Sequence, residues 1–167
     1  MEPMDQTQIP NSTLILTPEG FKALHEELER LTLEKRPEIA ERIRESKQHG
    51  EFSEDNNELD EVKFEQAIVE SRIAELKSIF ASAQVLEPDT VPTDRVGIGS
   101  YVKVKDADRP VEFEIRMVSS VEADPDNDLI SNESPMGLAL FGQPAKATVE
   151  FEAPAGKIRY QIVSIKK

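Results

Sequence analysis

The segment HGEFSEDNNELDE, residues 49–61, places acidic side chains close together with no Lys or Arg among them. These side chains belong to Glu51, Glu54, Asp55, Glu58, Asp60 and Glu61. Carboxylate oxygens suit a hard divalent cation, and Mg²⁺ commonly takes only one or two of them while water and phosphate oxygens complete its octahedron. The chemistry that this cluster could do is therefore Mg²⁺ binding, as an incomplete site that needs ligands from a partner.

The same cluster also fits a purely structural interpretation. Acidic residues complement the positive end of a helix dipole, and Glu54 and Asp55 would lie in the first turn of a helix capped by Ser53. Runs of charge are also commonly a solvated face. Glu51, however, precedes such a helix, and the three later acids add repulsion without serving as caps. The residues alone leave both interpretations open.

Two basic residues flank the cluster, Lys47 before it and Lys63 after it. Ordinary exposed charge is one explanation for them. The other is contact with a nucleic-acid phosphate, because Lys side chains bind phosphate oxygens without reading sequence. The distance of each lysine from the acidic cluster along the sequence is not specific enough to decide between these two explanations.

Two segments with helical periodicity enclose the acidic cluster. The first begins with Thr17 as a candidate N-cap and Pro18 at the first helical position, and runs to about residue 49. Pro37 lies inside this pattern and predicts a kink or local break, since its ring clashes with the preceding turn and it donates no hydrogen bond. Apolar residues recur at spacings of three and four: Phe21, Leu24, Leu28, Leu31, Ile39 and Ile43.

The second helical segment carries a heptad pattern with one polar position. Its members are Val62, Gln66, Val69, Ile73, Leu76, Phe80 and Ala83. Two such segments joined by a few residues predict an antiparallel helical hairpin. At 1.5 Å per residue, some 30 residues would form an arm of roughly 45 Å with the acidic cluster at its tip.

A β-rich half follows the helical half. Proline and glycine in EPDTVPTDRVGIGS predict a linker, and alternation in SYVKVK and VEFEIRMV predicts strands. ATVEFEAPAGKIRYQIVSIK predicts two strands around APAG, and SPMGLALFG predicts a short helix capped by Ser134. The predicted organisation is a polar tail (1–15), a coiled-coil hairpin (16–86), a linker (87–97) and a small α+β domain (98–167).

Composition excludes several classes of function. The 167 residues contain no Cys and two His, which leaves little material for thiolate or imidazole metal sites or for a Ser-His-Asp triad. A net charge of −13 argues against broad duplex binding, since that affinity comes largely from Lys and Arg. No apolar run approaches the roughly 20 residues that span a bilayer, and the N-terminus lacks a signal-peptide pattern. We expect a cytoplasmic protein with no membrane association.

Several motifs coincide with one family. KRPEIA, HGEFSED, EQAIVESRIAELK, EADPDNDLISNESPMGLALFG and APAGKIRYQIVSI, in this order, closely resemble the bacterial Gre transcript cleavage factors, nearer to GreA than to GreB. The similarity runs from about Leu16 to Ile165. It implies an α+β fold in which an antiparallel coiled-coil hairpin precedes a small FKBP-like domain. It also implies a monomeric accessory factor of bacterial RNA polymerase that is not itself an enzyme.

The resemblance implies roles for particular residues. In the family the hairpin enters the secondary channel of RNA polymerase, where two acidic tip residues help hold the second Mg²⁺ of the polymerase active site. Glu51 and Glu54 match these acids, and Lys47 and Lys63 match basic positions near the 3′ end of backtracked RNA. The cleavage that follows rescues arrested complexes. No cofactor is expected to be held by the chain alone.

The family's C-terminal domain docks on the coiled coil at the channel rim. Ser134 and Pro135 match its docking motif, with Asn132 just before them. The sequence departs from the usual family pattern at Glu51, where Asp is common, at Leu138, where a basic residue is common, and in a tip one residue longer. These departures leave open a channel-binding inhibitor on the same scaffold. Two more distant alternatives belong to other classes of function: a folding helper that uses the FKBP-like domain, and a plain structural adaptor.

Overall fold

The computed structural model describes residues 14–50 and 57–167, and at residues 49 and 50 it describes the backbone alone. The chain divides into two compact units. One unit is Phe21–Ser82, and the other combines Met1–Gly20 with Ala83–Lys167. The helical unit is thus shorter at both ends than the segment 16–86 predicted from periodicity. None of the described helices is long and apolar enough to cross a membrane.

The helical unit is built on an antiparallel hairpin. Its first arm consists of α1 (Pro18–Arg30, whose first turn lies in the other unit), a π-helical turn (Leu31–Lys35) and α2 (Arg36–Gly50). Its second arm is α3 (Asn57–Ser82). Glu27 on α1 pairs with Arg72, and Arg42 on α2 pairs with Glu65, so the arms run in opposite directions. The predicted hairpin is confirmed.

The π-helical turn lies immediately before Pro37. The N–H of Arg36 donates to the carbonyl oxygen of Leu31, five residues earlier, where an α-helix would use the residue four earlier. Pro37 has no N–H, and its ring would clash with the carbonyl four residues before it, so the regular ladder cannot continue through this position. The wider turn accommodates the proline without ending the arm. The predicted local break is confirmed.

The two arms meet along one apolar seam. Its buried members are Leu24, Leu31 and Ile39 on the first arm and Val62, Val69, Ile73, Leu76 and Ile79 on α3. Gln66, predicted as the polar position of the seam, is exposed, and Ala83, predicted as its last position, belongs to a strand instead. Phe80 is half-buried and packs edge-to-face on Phe21 with ring centroids 5.2 Å apart.

The C-terminal unit is built on a five-stranded sheet. Its strands are β3 (Tyr101–Asp106), β4 (Glu112–Val118), β5 (Leu129–Ser131), β6 (Thr148–Ala153) and β7 (Gly156–Lys166), in the order β5-β4-β3-β7-β6. Only the β4–β5 pair in this sheet is parallel. The short helix α4 (Pro135–Leu140) adds Leu140 to the core. The predicted α+β class, the alternating strands and the turn around APAG are confirmed.

Two short strands outside this sheet were not predicted. β1 (Leu14–Leu16) and β2 (Ala83–Val85) form a parallel pair with Leu14 opposite Ala83. Residues 14 and 15 of the expected polar tail are therefore a strand, while the rest of that tail lies outside the described residues. Residues 87–97, expected as a linker, belong to the C-terminal unit, where Val91 and Val96 are buried.

Candidate functional site

Charged side chains of the hairpin shaft are paired across the two arms. The guanidinium of Arg72 binds Glu27 through two hydrogen bonds, Nε to Oε1 at 2.8 Å and Nη2 to Oε2 at 3.0 Å. Arg36 binds Glu70 in the same way, with both distances 2.8 Å. Such two-point contacts fix the relative orientation of the side chains as well as their separation.

These contacts alter the titration of the shaft carboxylates. The hydrogen bond from the partner arginine is the main cause that holds the pKa of Glu27, Glu65 and Glu70 below its ordinary value. Lys35, whose Nζ lies 3.1 Å from Glu65 Oε1, lowers the pKa of that carboxyl further. These three acidic residues of the shaft are thus committed to partners within the hairpin.

Acidic residues near the tip lie in a different environment. Glu58, Asp60 and Glu61 are exposed at the start of α3, where they complement the helix dipole. Within residues 14–50 and 57–167, Glu58 and Asp60 have no side-chain partner, and Glu61 acts only at a distance on Arg42. The carboxylates on the described side of the tip are therefore available to solvent or to a partner molecule.

The two predicted metal-positioning acids, Glu51 and Glu54, lie outside the described residues. In the part of the chain that the structure describes, no group of three or more His, Cys, Asp or Glu could hold a metal ion. The assignment of Glu51 and Glu54 to Mg²⁺ therefore stays a prediction from the sequence.

The two predicted RNA-contacting residues lie on facing arms. Lys47 on α2 and Lys63 on α3 are both exposed, and both lie on the tip side of the ion pair between Arg42 and Glu65. Neither lysine has an ion-pair partner among the described side chains. The hairpin thus brings both cations to the part of the shaft next to the acidic segment.

The predicted docking residues surround the start of α4. Ser134 is its N-cap: the hydroxyl accepts from the N–H of Gly137 at 3.0 Å and donates to the carbonyl oxygen of Ser131 at 2.7 Å. Pro135 follows at the first helical position and is exposed, while the N–H of Asn132 bonds to Val118 on β4 at 3.0 Å. The local fold therefore brings all three predicted docking residues to one turn.

Comparison with known proteins identifies the family. The family described as "Transcription elongation factor, N-terminal" matches residues 14–85, and "Transcription elongation factor, GreA/GreB, C-term" matches residues 91–167. Transcription elongation factor GreA of Thermoanaerobacter pseudethanolicus is 46% identical over 154 residues, which cover 92% of this chain and 98% of the relative. GreA of Clostridioides difficile is 45% identical over 157 residues, which cover 94% and 98%. This chain belongs to the GreA/GreB family of transcription elongation factors.

Solved structures from the GreA/GreB group also match this chain. The GreA factor homolog 1 protein of Thermus thermophilus is 29% identical, with a TM-score of 0.43 over 93% of this chain and 99% of its own. The GreA/GreB factor of Nitrosomonas europaea is 20% identical, with a TM-score of 0.41 over 93% and 100%.

Sequence reasoning missed one feature of this GreA/GreB-family chain, a carboxylate at the start of α1. Glu122 accepts hydrogen bonds from both the backbone N–H and the hydroxyl of Thr17, 105 residues away in sequence. The only local signal was Gly20 at the third helical position, where a Cβ would overlap with the Glu122 carboxylate. A glycine there leaves room for a side chain from elsewhere, but it does not say which one.

Proposed function

We propose that this chain is an accessory factor that stimulates the Mg²⁺-dependent RNA cleavage activity of bacterial RNA polymerase and so rescues backtracked, arrested complexes. The hairpin enters the secondary channel of the polymerase, and the C-terminal domain docks at the channel rim. The chain is not an enzyme by itself, because the reacting groups and most of the metal ligands belong to the polymerase.

The observation that carries this proposal is the contrast between the shaft and the tip of the hairpin. Shaft carboxylates such as Glu27 and Glu70 are held by arginines of the opposite arm, whereas Glu58 and Asp60 next to the tip have no partner among the described side chains. Like charges held close together repel one another, which disfavours the isolated state. A cation supplied by a partner would remove that repulsion.

Glu51 and Glu54 are the acids that we expect to hold the shared Mg²⁺. Their carboxylates are suitable ligands for this ion, and one or two are enough when the polymerase, water and phosphate oxygens supply the rest. Together with the first metal ion of the polymerase, this ion would supply stabilisation of the attacking and leaving oxygens of the cleaved bond. The role of this chain is to bring the two carboxylates there on a narrow arm.

The remaining predicted residues position the arm and the RNA. Lys47 and Lys63 would bind phosphate oxygens near the extruded 3′ end, a contact that orients RNA independently of its sequence. The turn with Asn132, Ser134 and Pro135 would contact the rim of the channel. Leu138 and Phe141, which are 67% and 38% exposed beside this turn, add apolar area to that surface.

The test is RNA cleavage by backtracked bacterial elongation complexes in the presence of Mg²⁺. We compare no factor, the parent protein and the Glu51→Ala, Glu54→Ala protein. The parent should accelerate cleavage, and the double variant should lose most of this acceleration while still binding polymerase, because removal of one electrostatic contact to a reacting centre costs about 10²–10³-fold. Equal acceleration by parent and double variant would refute the assigned role of the tip.

A matched control removes two carboxylates elsewhere. Glu34 on the shaft and Glu152 on β6 are exposed and have no side-chain partner among the described residues. The Glu34→Ala, Glu152→Ala protein has the same change in net charge as the tip variant, and it should stimulate cleavage as the parent does. A loss of stimulation in this control would mean that net charge, and not the tip, is the source of the effect.

Two other functions give different results in the same experiments. Cleavage slower than in the factor-free control would indicate a channel-binding inhibitor, which the Glu at position 51 and the longer tip leave open. Prolyl isomerase activity on a peptide would support the folding-helper alternative. Against that alternative, the rings of Phe113 and Phe151 pack on Tyr160 with centroids 5.4 and 5.5 Å away, so these aromatic groups are engaged with one another.

A further inference from the structure

Two large apolar side chains are exposed next to each other on α3. Phe64 is 70% exposed and Ile68 is 55% exposed. They are four residues apart in one helix, so their side chains are neighbours on its surface. Among the described residues of the helical unit, the other exposed large apolar side chain is Leu33 on the first arm. A single exposed apolar residue is ordinary on a soluble protein, whereas an adjacent pair forms a continuous apolar surface.

This pair lies away from the seam between the two arms. Val62 and Val69 are buried in that seam. An α-helix turns by about 100° per residue, so Phe64, two residues after Val62, lies on the side of α3 opposite the seam. Ile68 lies about 40° from Phe64 around the same helix. The apolar pair therefore faces away from the first arm.

The apolar pair and the two exposed lysines lie on different sides of the hairpin. Lys47 and Lys63 each directly follow a buried seam residue, Ser46 on the first arm and Val62 on α3. Because the arms are antiparallel, one residue beyond the seam lies on the same side of the hairpin in both arms. Phe64 lies about 100° from Lys63 around α3. The distal hairpin thus has one side with two cations and another with the apolar pair.

The free charge beside the apolar pair is negative. A side chain on a helix leans over the turn that precedes it, so Phe64 leans toward Asp60, four residues earlier. Asp60 is exposed and has no side-chain partner among residues 14–50 and 57–167. Arg72, four residues after Ile68, is already bound to two glutamates. An aromatic ring and an available carboxylate therefore lie side by side at the tip end of this surface.

We propose that Phe64, Ile68 and Asp60 form a contact surface for an arginine-bearing apolar segment of RNA polymerase. A guanidinium group can lie on the face of an aromatic ring and also hydrogen-bond to a carboxylate. A wholly apolar segment would leave Asp60 without a partner, and an RNA phosphate would be repelled by it. The contact would hold this side of the distal hairpin against the polymerase and leave the lysine side to the RNA. This inference rests on the proposed function.

The first experiment measures the affinity of the full-length protein for polymerase by competition with a labelled parent protein. The Phe64→Gln, Ile68→Gln protein should bind about tenfold more weakly, since burial of two such side chains is worth at least that factor. At saturating concentration it should reach the maximal cleavage rate of the parent. Leu33→Gln removes an exposed apolar side chain from the other arm and should bind as the parent does. Equal affinities of the parent and the double variant would overturn the proposal, as would an equal loss in the control.

Two substitutions that preserve size test for the arginine. Phe64→Leu keeps apolar area but loses the aromatic face, and Asp60→Asn loses only the charge. Each should weaken polymerase binding by about three- to tenfold. The combined variant should lose less than the product of the two factors, because both groups would contact one guanidinium. Glu34→Gln makes the same change in charge at an exposed shaft position and should have no effect. Independent, multiplicative losses would overturn the shared arginine contact.

Cross-linking identifies what covers the surface. A benzophenone amino acid in place of Phe64 should cross-link to a polymerase subunit in elongation complexes, and in place of Leu33 it should do so with lower yield. A cross-link from position 64 to RNA, or to a second copy of this chain, would overturn the proposal. If position 64 cross-links to polymerase but the parent does not accelerate cleavage, the proposed function fails and the contact surface stands. Acceleration without this cross-link would have the opposite meaning.

Discussion

The hairpin and the C-terminal unit bury apolar side chains in different ways. In the hairpin, the buried residues form a single seam between two arms, bordered by ion pairs such as Arg72 with Glu27 and Arg36 with Glu70. The sheet unit instead encloses a cluster of ten buried apolar residues among those described, including Val102, Ile115 and Leu140. A two-helix unit has little interior, so its charged borders matter more.

This difference indicates which interactions stabilise each unit. Hydrophobic burial is neither screened by salt nor lost on protonation, whereas ion pairs weaken when salt screens them or when the carboxylate is protonated. The hairpin should therefore respond to solution conditions that leave the sheet unit largely unchanged. Tyr101 and Tyr160 lie in the sheet unit and the chain has no Trp, so tyrosine fluorescence reports that unit alone, while far-ultraviolet circular dichroism is dominated by the long helices.

The largest effects should come from cavities in the two cores. Leu76 in the hairpin seam and Ile162 in the sheet core are both 0% exposed. Leu76→Ala and Ile162→Ala should each lower the free energy of unfolding by about 2–5 kcal/mol. In denaturant titrations, Leu76→Ala should shift mainly the circular dichroism transition and Ile162→Ala mainly the tyrosine transition. Equal shifts of both signals by both variants would show that the two units unfold as one.

Acid should destabilise the hairpin more than the sheet unit. The pKa of Glu27, Glu65 and Glu70 lies below the ordinary value of 4.5, so their ion pairs stabilise the folded hairpin at neutral pH. This contribution is lost as the pH falls below 4.5 through the lowered pKa values.

The measurement is the midpoint of thermal unfolding by circular dichroism at successively lower pH. A protein with Gln at positions 27, 65 and 70 should be less stable than the parent at neutral pH and should show a flatter dependence below it. If the midpoints of both proteins fall equally with pH, groups other than these three glutamates cause the acid sensitivity.

The smallest effect should come from a single ion pair. A double-mutant cycle with Glu27→Ala and Arg72→Ala should give a coupling energy of about 0.5–1 kcal/mol, at the upper end for partly exposed pairs because the contact is bidentate. The pair of Asp108 with Arg159 in the sheet unit, made through one 2.7 Å contact, should couple less. Both energies should fall at high salt. A coupling energy for Asp108 with Arg159 that exceeds the one for Glu27 with Arg72 would contradict the view that ion pairs matter more in the hairpin than in the sheet unit.

Local patterns in the sequence predicted the elements whose signals lie within a few residues. The cap at Thr17, the break at Pro37, the seam through Val69 and Ile73, and the cap at Ser134 each follow from neighbours along the chain. Strands β3, β4, β6 and β7 were visible because they are long enough to alternate.

Features that join distant segments were not predictable in this way. β1, β2 and β5 have three residues each, too few to show a period, and the partner of β1 lies far along the chain. Nothing near Glu122 indicates that it completes the cap of Thr17. The metal-binding role of Glu51 and Glu54 stays a prediction from composition and family resemblance. The docking role of Asn132, Ser134 and Pro135 also stays a prediction, and these residues lie in one turn because they are neighbours in sequence.

The π-helical turn before Pro37 also keeps the first arm in phase. Buried residues of this arm fall at Leu24, Leu31, Ile39 and Ser46, so the spacing is seven, then eight, then seven. An α-helix rotates about 100° per residue, and a spacing of eight would move the distal half of the seam by that angle relative to a heptad. The wider turn absorbs the extra residue. Residues of the first arm that follow this turn, including Lys47, therefore face the same directions around the helix axis as they would in an uninterrupted heptad pattern.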